Sequence, residues 1–284
     1  MIQRLGVVGA GLMGSGIAEV ASRRGIDVIV VEADDSAAQA GLTRITKSLD
    51  RGVRSGKLTE QAREEALSHI RVTTAMEQLD DRELVIEAVI EDEATKLDIF
   101  RRLDAIVEDH AAVLASNTSS IPIMKLAMAT KRPEQVVGIH FFNPVPVMPL
   151  VEVVTSLMTN SKVEQQANEF AGGQLGKHVI KSKDRAGFIV NALLIPYLLS
   201  AVRMFESGFA TAEDIDTGMV DGCAHPMGPL ALADLIGLDT TMAVAQSLYE
   251  EFKEPLYAPP PLLSRMCEAG LLGRKVGRGF YQYN

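Results

Sequence analysis

The chain has 284 residues, 47% of them hydrophobic, and a formal net charge of −9. This length is enough for one large domain or two modest ones with a sizeable core, and the composition excludes disorder over the whole chain. The acidic balance argues against nucleic acid as the main partner. The two cysteines, Cys223 and Cys267, form neither a disulfide framework nor a close metal-type pair, so we expect no metal site.

We expect neither a targeting segment nor a membrane span. A strand-like run begins at Ile2 and leaves no room for a signal peptide, which predicts a cytoplasmic protein. The most apolar stretch, residues 188–205, is about as long as a membrane span, but it contains Asn191, Pro196 and Arg203. We therefore predict a buried helix there, with a second subunit as a candidate partner for its apolar surface.

Short runs rich in Val and Ile alternate with helical patterns in the first two thirds of the chain. The predicted strands are Leu5–Val8, Val28–Val31, Leu84–Val89, Val113–Ala115, Val136–Phe141 and Val151–Val154. The predicted helices lie near 12–24, 36–54, 59–68, 93–108 and 162–175. Strands with little polar alternation are typical of a parallel sheet covered on both faces. We therefore predict a doubly wound, Rossmann-type α/β domain over residues 1–184.

A polar joint, Lys183-Asp184-Arg185-Ala186-Gly187, ends this pattern. Beyond it the sequence contains no convincing strand, and prolines separate the apolar segments. The predicted helices lie near 187–207, 212–220, 229–251 and 260–269. The second domain is therefore predicted to be a smaller all-α domain over residues 185–284.

The first predicted strand runs into a G-x-G-x-x-G motif that opens a helix. Its members are Gly9, Ala10, Gly11, Leu12, Met13 and Gly14. The first glycine permits a tight turn, the second lets the backbone approach a pyrophosphate, and the third allows close helix–strand packing. The helix N-terminus then faces the phosphate charge. This context predicts a dinucleotide site.

An acidic residue at the end of the second strand indicates which dinucleotide. Glu32 lies about twenty residues beyond the motif, where a carboxylate can bond the adenosine ribose hydroxyls. Ala33, Asp34 and Asp35 follow it, with no Arg or Lys to hold a 2′-phosphate. Carboxylates would repel that phosphate, so the sequence favours NAD over NADP.

Polar side chains at strand ends between residues 113 and 155 suit alcohol dehydrogenation. Oxidising a secondary alcohol requires a base for the hydroxyl proton, and imidazole titrates near neutral pH. His140 is the candidate base, and Glu152 is a candidate to fix its tautomer. Either residue could instead be structural: a core histidine beside Phe141, or a glutamate on a strand edge. The run Ser116–Ser120 could be a capped turn or a ligand contact.

Six segments of the chain, taken together, resemble the L-3-hydroxyacyl-CoA dehydrogenase family, and within it the bacterial 3-hydroxybutyryl-CoA dehydrogenases. The segments read GAGLMG, ASNTSS, HFFNPVPVMPLVEVV, KDRAGFIVNALLIPYL, HPMGPLALADLIGLD and GRKVGRGFYQY. The resemblance covers essentially the whole chain. It implies NAD-dependent oxidation of (S)-3-hydroxyacyl-CoA to 3-oxoacyl-CoA, and the reverse reduction, in a cleft between two domains. It also implies a homodimer formed through the helical domain.

The resemblance further implies residue roles. His140 would be the base and Glu152 its orienting partner, while Ser119 would bond the substrate 3-oxygen. Asn191 would hold the region of the substrate carbonyl. The implied NAD contacts are the glycine motif, Glu32, Glu91, Lys96, Ser119, Asn143 and Lys275.

A basic segment, 43–57, is a candidate site for coenzyme A. Its charges recur at steps of three and four residues, which predicts one helix face; they are Arg44, Lys47, Arg51, Arg54 and Lys57. By pattern alone a solvated stripe is the simpler interpretation. The family places this segment over the CoA phosphates with a serine at the position of Ser48, which makes Ser48, Arg51, Arg54 and Lys57 candidate contacts. Relatives often carry lysine where this chain has Ser55, so the pairing of cations with phosphates stays open.

Two alternatives remain open. One is an enzyme like the lambda-crystallin/L-gulonate 3-dehydrogenase group, acting on a free sugar acid without CoA. The other is a non-catalytic NAD-binding structural protein that keeps the fold.

Overall fold

An eight-stranded sheet forms the centre of the first part of the chain in the computed structural model, which describes residues 1–283. The strands are β1 (Arg4–Val8), β2 (Asp27–Val31), β3 (Ile70–Thr73), β4 (Leu84–Glu87), β5 (Val113–Ser116), β6 (Val136–Phe141), β7 (Leu150–Thr155) and β8 (His178–Lys183). Their order across the sheet is β3-β2-β1-β4-β5-β6-β7-β8. The first six are parallel, so their carboxyl ends share one edge of the sheet.

Six helices connect these strands. They are α1 (Leu12–Ser22), α2 (Asp35–Arg54), α3 (Glu60–Ser68), α4 (Glu93–Ile106), α5 (Ile123–Ala127) and α6 (Ser161–Asn168). Short polar side chains satisfy the first N–H groups of several of them, as N-caps commonly do: Asp34 accepts from Ala37, and Asp92 accepts from Thr95. The glycine motif, residues 9–14, spans the turn after β1 and the first turn of α1, as predicted.

The sequence predicted six of the eight strands and missed the two at the edges of the sheet. β3 and β8 are only half-buried, with alternating or polar residues such as Lys181 and Ser182. Edge strands carry weaker apolar signals because one side faces solvent. The strand β7 departs from the parallel arrangement of the first six strands, because it is antiparallel to β6. This reversal places His140 directly opposite Glu152 in the register.

The second part of the chain is helical. Its helices are α7 (Val190–Glu206), α8 (Ala212–Cys223), α9 (Pro229–Ile236), α10 (Leu238–Phe252) and α11 (Pro261–Glu268). The single helix predicted over 229–251 is two helices, because Gly237 adopts φ 102°, a backbone conformation that interrupts a helix. Between residues 186 and 283 only isolated bridges, and no strands, accompany these helices.

The chain divides into two compact units, Met1–Arg185 and a second that begins at Ala186. Each has its own apolar core. None of the described helices is both long and apolar enough to cross a bilayer, and the apolar stretch predicted to be a buried helix forms most of α7.

Candidate active site

The glycine motif forms a cradle that fits the pyrophosphate of a dinucleotide. Gly9 has φ +95°, and a Cβ at position 14 would lie 1.8 Å from the carbonyl oxygen of Gly9, so both positions require glycine. A Cβ on Gly11 would meet nothing within 4 Å. Gly11 is also the N-cap of α1 and provides no side-chain cap. The open space at Gly11 therefore faces a helix N-terminus, where phosphate binds favourably.

Glu32 lies next to this glycine loop. Its Oε1 accepts from the Ala10 N–H at 2.5 Å, and its Oε2 accepts from the Ala33 N–H at 3.1 Å. These bonds fix the carboxylate at the end of β2, where the ribose of a dinucleotide is expected. Asp34 has a different task, since it caps α2.

A cavity of about 880 Å³ adjoins the cradle. Its lining includes Gly9, Gly11 and Glu32, together with Val89, Ile90 and Arg102. An apolar cleft with a few polar groups, at the carboxyl edge of a doubly wound sheet, is the usual dinucleotide site of this fold. The residues present therefore fit NAD.

His140 and Glu152 form a buried pair at the same edge of the sheet. The His140 Nδ1 and the Glu152 Oε2 are 2.8 Å apart, and the two residues are 4% and 0% exposed. An ionised carboxylate can only accept, so Nδ1 carries a proton in this pair and Nε2 is the accepting nitrogen of the neutral ring. The register between β6 and β7 holds the two side chains together.

Ser119 lies against the other side of the imidazole. Its Oγ is 3.0 Å from the His140 Nε2, and it belongs to the loop that follows β5. Ser119, His140 and Glu152 therefore form one hydrogen-bonded chain, which ends at a half-exposed hydroxyl. Such a chain can take a proton from a bound hydroxyl at Nε2.

Glu91 fixes the loop that carries Ser119. One carboxylate oxygen, Oε1, accepts from the Thr118 hydroxyl at 2.5 Å, the Ser119 N–H at 2.8 Å and the Ser120 N–H at 3.0 Å. Its other oxygen lies 3.2 Å from the Lys96 ammonium. Burial alone would raise the pKa of Glu91, but Lys96 and these hydrogen bonds outweigh burial and lower it. Glu91 is therefore held as an anion.

Glu87 and Lys96 form a fully buried ion pair behind this loop. The Lys96 Nζ is 2.6 Å from the Glu87 Oε1, and the two residues are 1% and 0% exposed. The Glu87 carboxylate also accepts from the Val89 N–H and the Ser116 hydroxyl, both at 2.7 Å. Each oxygen of Glu87 is thus hydrogen-bonded, and Lys96 joins Glu87 to Glu91. The observed partners of Lys96 are these two carboxylates; its predicted contact with NAD stays a prediction.

The remaining predicted residues are distributed over both units. Asn143 is exposed directly beyond β6, in a cis peptide bond with Pro144. Asn191 is half-buried in the first turn of α7, within the second unit. Lys275, also in the second unit, pairs with Asp239 at 2.5 Å. Their roles toward NAD and substrate stay predictions.

The prediction of one basic helix face over 43–57 needs correction. α2 ends at Arg54, so Lys57 lies beyond the helix, after Gly56 with φ +70°. The Arg44 guanidinium donates instead to the carbonyl oxygen of Ala10 in the glycine loop. Ser48 is half-buried, while Arg51 and Arg54 are exposed in the last turns of α2.

Sequence reasoning missed the supporting polar residues. The sequence places Glu87 in a predicted strand and Ser116 in a polar run, but it does not assign Glu87 a role. The available signal was a glutamate at the end of an otherwise apolar strand, with a lysine nine residues later. A charge at such a buried position needs a partner, but the sequence could not identify that partner.

The glycine cradle, the cavity and the histidine at the carboxyl edge together define a dinucleotide-dependent dehydrogenase. The family model described as "3-hydroxyacyl-CoA dehydrogenase, NAD binding domain" matches residues 4–185, and that described as "3-hydroxyacyl-CoA dehydrogenase, C-terminal domain" matches residues 187–283. The chain belongs to the 3-hydroxyacyl-CoA dehydrogenase family.

Individual relatives agree over the whole chain. A 3-hydroxybutyryl-CoA dehydrogenase of Mycobacterium tuberculosis is 60% identical over 282 residues, which are 99% of this chain and 99% of that protein. The crystal structure of M. tuberculosis FadB2 has a TM-score of 0.99 at 60% identity, covering 100% of this chain and 99% of that one. The (S)-3-hydroxybutyryl-CoA dehydrogenase PaaH1 of Ralstonia eutropha has a TM-score of 0.94 at 45% identity, with both chains covered completely.

These comparisons confirm the predicted family, the two-part fold and the class of enzyme. The chain is an NAD-dependent oxidoreductase of the 3-hydroxyacyl-CoA dehydrogenase type. The site geometry described above shows which of its side chains are arranged for that chemistry.

Proposed function

We propose that the protein interconverts (S)-3-hydroxybutyryl-CoA and acetoacetyl-CoA, with His140 as the base in oxidation and the acid in reduction. The observation that carries this proposal is the hydrogen-bonded chain Ser119–His140–Glu152 at the carboxyl edge of the sheet. The acyl group is proposed from the names of the relatives at 60% and 45% identity. NAD, when bound, supplies the hydride acceptor for C3 of the substrate.

His140 accepts the proton of the 3-hydroxyl at Nε2. The imidazolium that forms carries its charge beside the Glu152 carboxylate, 2.8 Å from Nδ1, and this carboxylate stabilises it in a site from which water is largely excluded. In the reductive direction the same Nε2–H returns a proton to the 3-oxygen. Ser119, 3.0 Å from Nε2, donates to that oxygen and positions it on the imidazole.

The same three residues resemble the nucleophile, base and acid of a hydrolase. That reaction also needs free N–H donors for an oxyanion close to the serine. The N–H groups of Ser119 and Ser120 already donate to Glu91. A carboxylate at that position would repel an oxyanion, so the geometry favours the dehydrogenase and makes Ser119 a substrate donor rather than a nucleophile.

Glu32 supports a preference for NAD over NADP. Its carboxylate is held at the cradle by the Ala10 and Ala33 N–H groups, where a 2′-phosphate would meet its negative charge. Asp35 adds another acidic side chain, which is exposed at the start of α2. We expect NADPH to be a poor cofactor for this reason.

Several finer assignments also belong to this proposal. Asn191 and Lys275 are proposed to contact substrate and cofactor from the helical unit, and α7 is proposed to take part in a homodimer. The division into a cofactor domain over residues 1–184 and a helical domain over 185–284 is proposed with them. Both cysteines are free thiols, which is typical of a reducing compartment and supports a cytoplasmic location.

The deciding experiment is NADH oxidation with acetoacetyl-CoA, compared with free acetoacetate and with NADPH as cofactor. We expect fast turnover of the thioester with NADH alone. Equal turnover of free acetoacetate or of a sugar acid would show that CoA is not recognised and would favour a free-acid dehydrogenase. Binding of NADH without turnover of any of these compounds would favour the structural protein.

A further inference from the structure

The strand that carries His140 extends beyond its parallel neighbour. The backbone pairing of β5 with β6 ends where Ser116 lies opposite Gly138, whereas β6 continues to Phe141. Beyond Ser116 the chain leaves the sheet and forms the loop that carries Ser119. On the β5 side, the buried N–H groups at the end of β6 therefore need an acceptor other than the backbone of β5.

The side chain of Asn117 supplies such an acceptor. Its Oδ1 accepts from the Phe141 N–H at 2.9 Å, a normal hydrogen-bond length. Asn117 is 8% exposed and Phe141 is 2% exposed, so loss of this bond would leave a buried N–H group unpaired. The amide of Asn117 thus continues the pairing of the sheet at the point where the backbone of β5 ends.

The backbone around Asn117 is itself held in place. The Asn117 N–H donates to the carbonyl oxygen of Glu87 at 2.9 Å. The hydroxyl of Ser116 donates to the Glu87 carboxylate at 2.7 Å and accepts from the Thr118 N–H at 3.1 Å. Because its backbone is bonded on both sides, the Asn117 side chain has little freedom to move, as a supporting residue behind a reaction site requires.

The bond from Asn117 to Phe141 joins the two segments that carry the proposed proton-transfer groups. Phe141 directly follows His140, and Asn117 lies two residues before Ser119. The Ser119 Oγ and the His140 Nε2 are 3.0 Å apart, a contact whose chemistry depends steeply on position. Resting on the proposed function, we propose that Asn117 is a positioning residue: by this bond it holds Ser119 at hydrogen-bond distance from His140.

Asn117 and Glu91 act on the same loop in different ways. Glu91 binds residues 118–120 to one carboxylate oxygen, which orders the loop internally. An ordered loop can still shift as a whole relative to the strand beside it. The bond from Asn117 to β6 opposes that shift, since it attaches the start of the loop to the strand of His140.

A double-mutant cycle between Asn117→Ala and Ser119→Ala tests this role. We expect Asn117→Ala to lower kcat with acetoacetyl-CoA about tenfold, because Ser119 no longer stays at His140, and to change KM for NADH much less. In the Ser119→Ala background the same change should lower kcat less than about twofold, because the contact to be held is already absent. Equal factors in the two backgrounds, or an unchanged kcat in Asn117→Ala, would overturn the proposal.

Two further variants separate positioning from a loss of stability. Asn117→Asp keeps an oxygen that can accept from the Phe141 N–H, and it should recover most of the lost kcat. The control Asn160→Ala removes the same side chain from an exposed position, where its Oδ1 accepts from the Lys162 N–H at 2.7 Å. It should lower stability through loss of a helix cap and leave kcat unchanged. Asn117→Ser, whose side chain is shorter but polar, replaces Asn117→Ala in the cycle if the alanine variant does not fold.

Nitrogen NMR of labelled histidine tests the contact without turnover. The Nε2 resonance of His140, identified by its absence in His140→Gln, depends on the hydrogen bond with Ser119. We expect Asn117→Ala to move this resonance toward its position in Ser119→Ala, and an unmoved resonance would contradict the positioning role. If the wild type does not reduce acetoacetyl-CoA, the proposed function fails, and the resonance still decides whether Asn117 holds Ser119 at His140.

Discussion

Glu87 and Glu19 are both buried in the same α/β unit, but their surroundings differ. Glu87 is 0% exposed, and its two oxygens accept from Lys96, Val89 and Ser116. Glu19 is 2% exposed; its Oε1 lies 3.6 Å from Arg23, and its Oε2 has no hydrogen-bond partner within the described residues. A buried carboxylate is called saturated here when both of its oxygens accept hydrogen bonds, and it then holds its neighbours in place. A buried carboxylate with an unbonded oxygen retains an uncompensated desolvation cost. The first supports the Ser119 loop, and the second lies beside a cavity of about 560 Å³ whose lining includes Arg23, Arg24 and Lys177.

The largest expected effect comes from His140, which contacts Ser119 in the loop that the saturated network supports. His140→Gln removes the proposed base, and a glutamine amide can still donate to Glu152. We expect kcat to fall by roughly 10²–10⁴, the usual contribution of general base catalysis. Steady-state kinetics with acetoacetyl-CoA measures this, and NADH affinity should be retained because the cavity at the cradle is intact. Near-native kcat would show that His140 is only a core residue.

Removing the charge of Glu87 should lower the stability of the protein. Glu87→Gln leaves the buried Lys96 with only the half-exposed Glu91 as an anionic partner. Breaking a buried ion pair in this way typically costs about 3–5 kcal/mol of stability. Denaturant unfolding of the wild type and the variant gives the change.

The matched control for Glu87→Gln is Glu93→Gln. Glu93 pairs with Lys125 on the surface, where both side chains are about half exposed, and its loss should cost less than about 1 kcal/mol. Equal losses of stability in the two variants would mean that the buried ion pair contributes no more to stability than the exposed pair.

Ser119→Ala tests the outer end of the hydrogen-bonded chain. The variant loses the hydroxyl that contacts the His140 Nε2 but keeps the backbone N–H that binds Glu91. Loss of one hydrogen bond to a charged group predicts a decrease in kcat of about tenfold or more. A change in KM for NADH with unchanged kcat would instead assign Ser119 to cofactor binding.

The smallest expected effect is a pH dependence of stability, and it has opposite sign for Glu91 and Glu19. Glu91 has a lowered pKa, so its contribution to stability is present above its unfolded pKa and is lost as pH falls through the folded value. Glu19 has a raised pKa because of burial, so its contribution is present below the unfolded value, near 4.5, and is lost as pH rises through the folded value.

Glu19→Gln should therefore raise the Tm above that of the wild type at neutral pH. The difference between the two proteins should shrink as pH falls toward and below about 4.5, where the wild-type side chain is protonated in both states. Thermal unfolding at a series of pH values measures the difference. A difference that does not change with pH would mean that Glu19 ionises as easily in the folded protein as in water.

The predicted elements were most accurate where the apolar pattern was strong. β6 was predicted at its observed bounds, and α2 within one residue of its start. The sequence missed β3 and β8, because half-buried edge strands carry a mixed pattern. It also merged α9 and α10, because the conformation of Gly237 is invisible in a pattern of hydrophobicity.

The sequence by itself determined the glycine cradle, Glu32 at the end of β2, and His140 and Glu152 as candidates, since these depend on residue type and on spacing along one chain. Only the tertiary structure decided how the buried polar groups pair: Glu87 with Lys96 and Ser116, and Glu91 with the Ser119 loop. The reason is physical. Hydrophobic periodicity is local, whereas the free energy of a buried charge depends on partners that the fold brings together from distant parts of the chain.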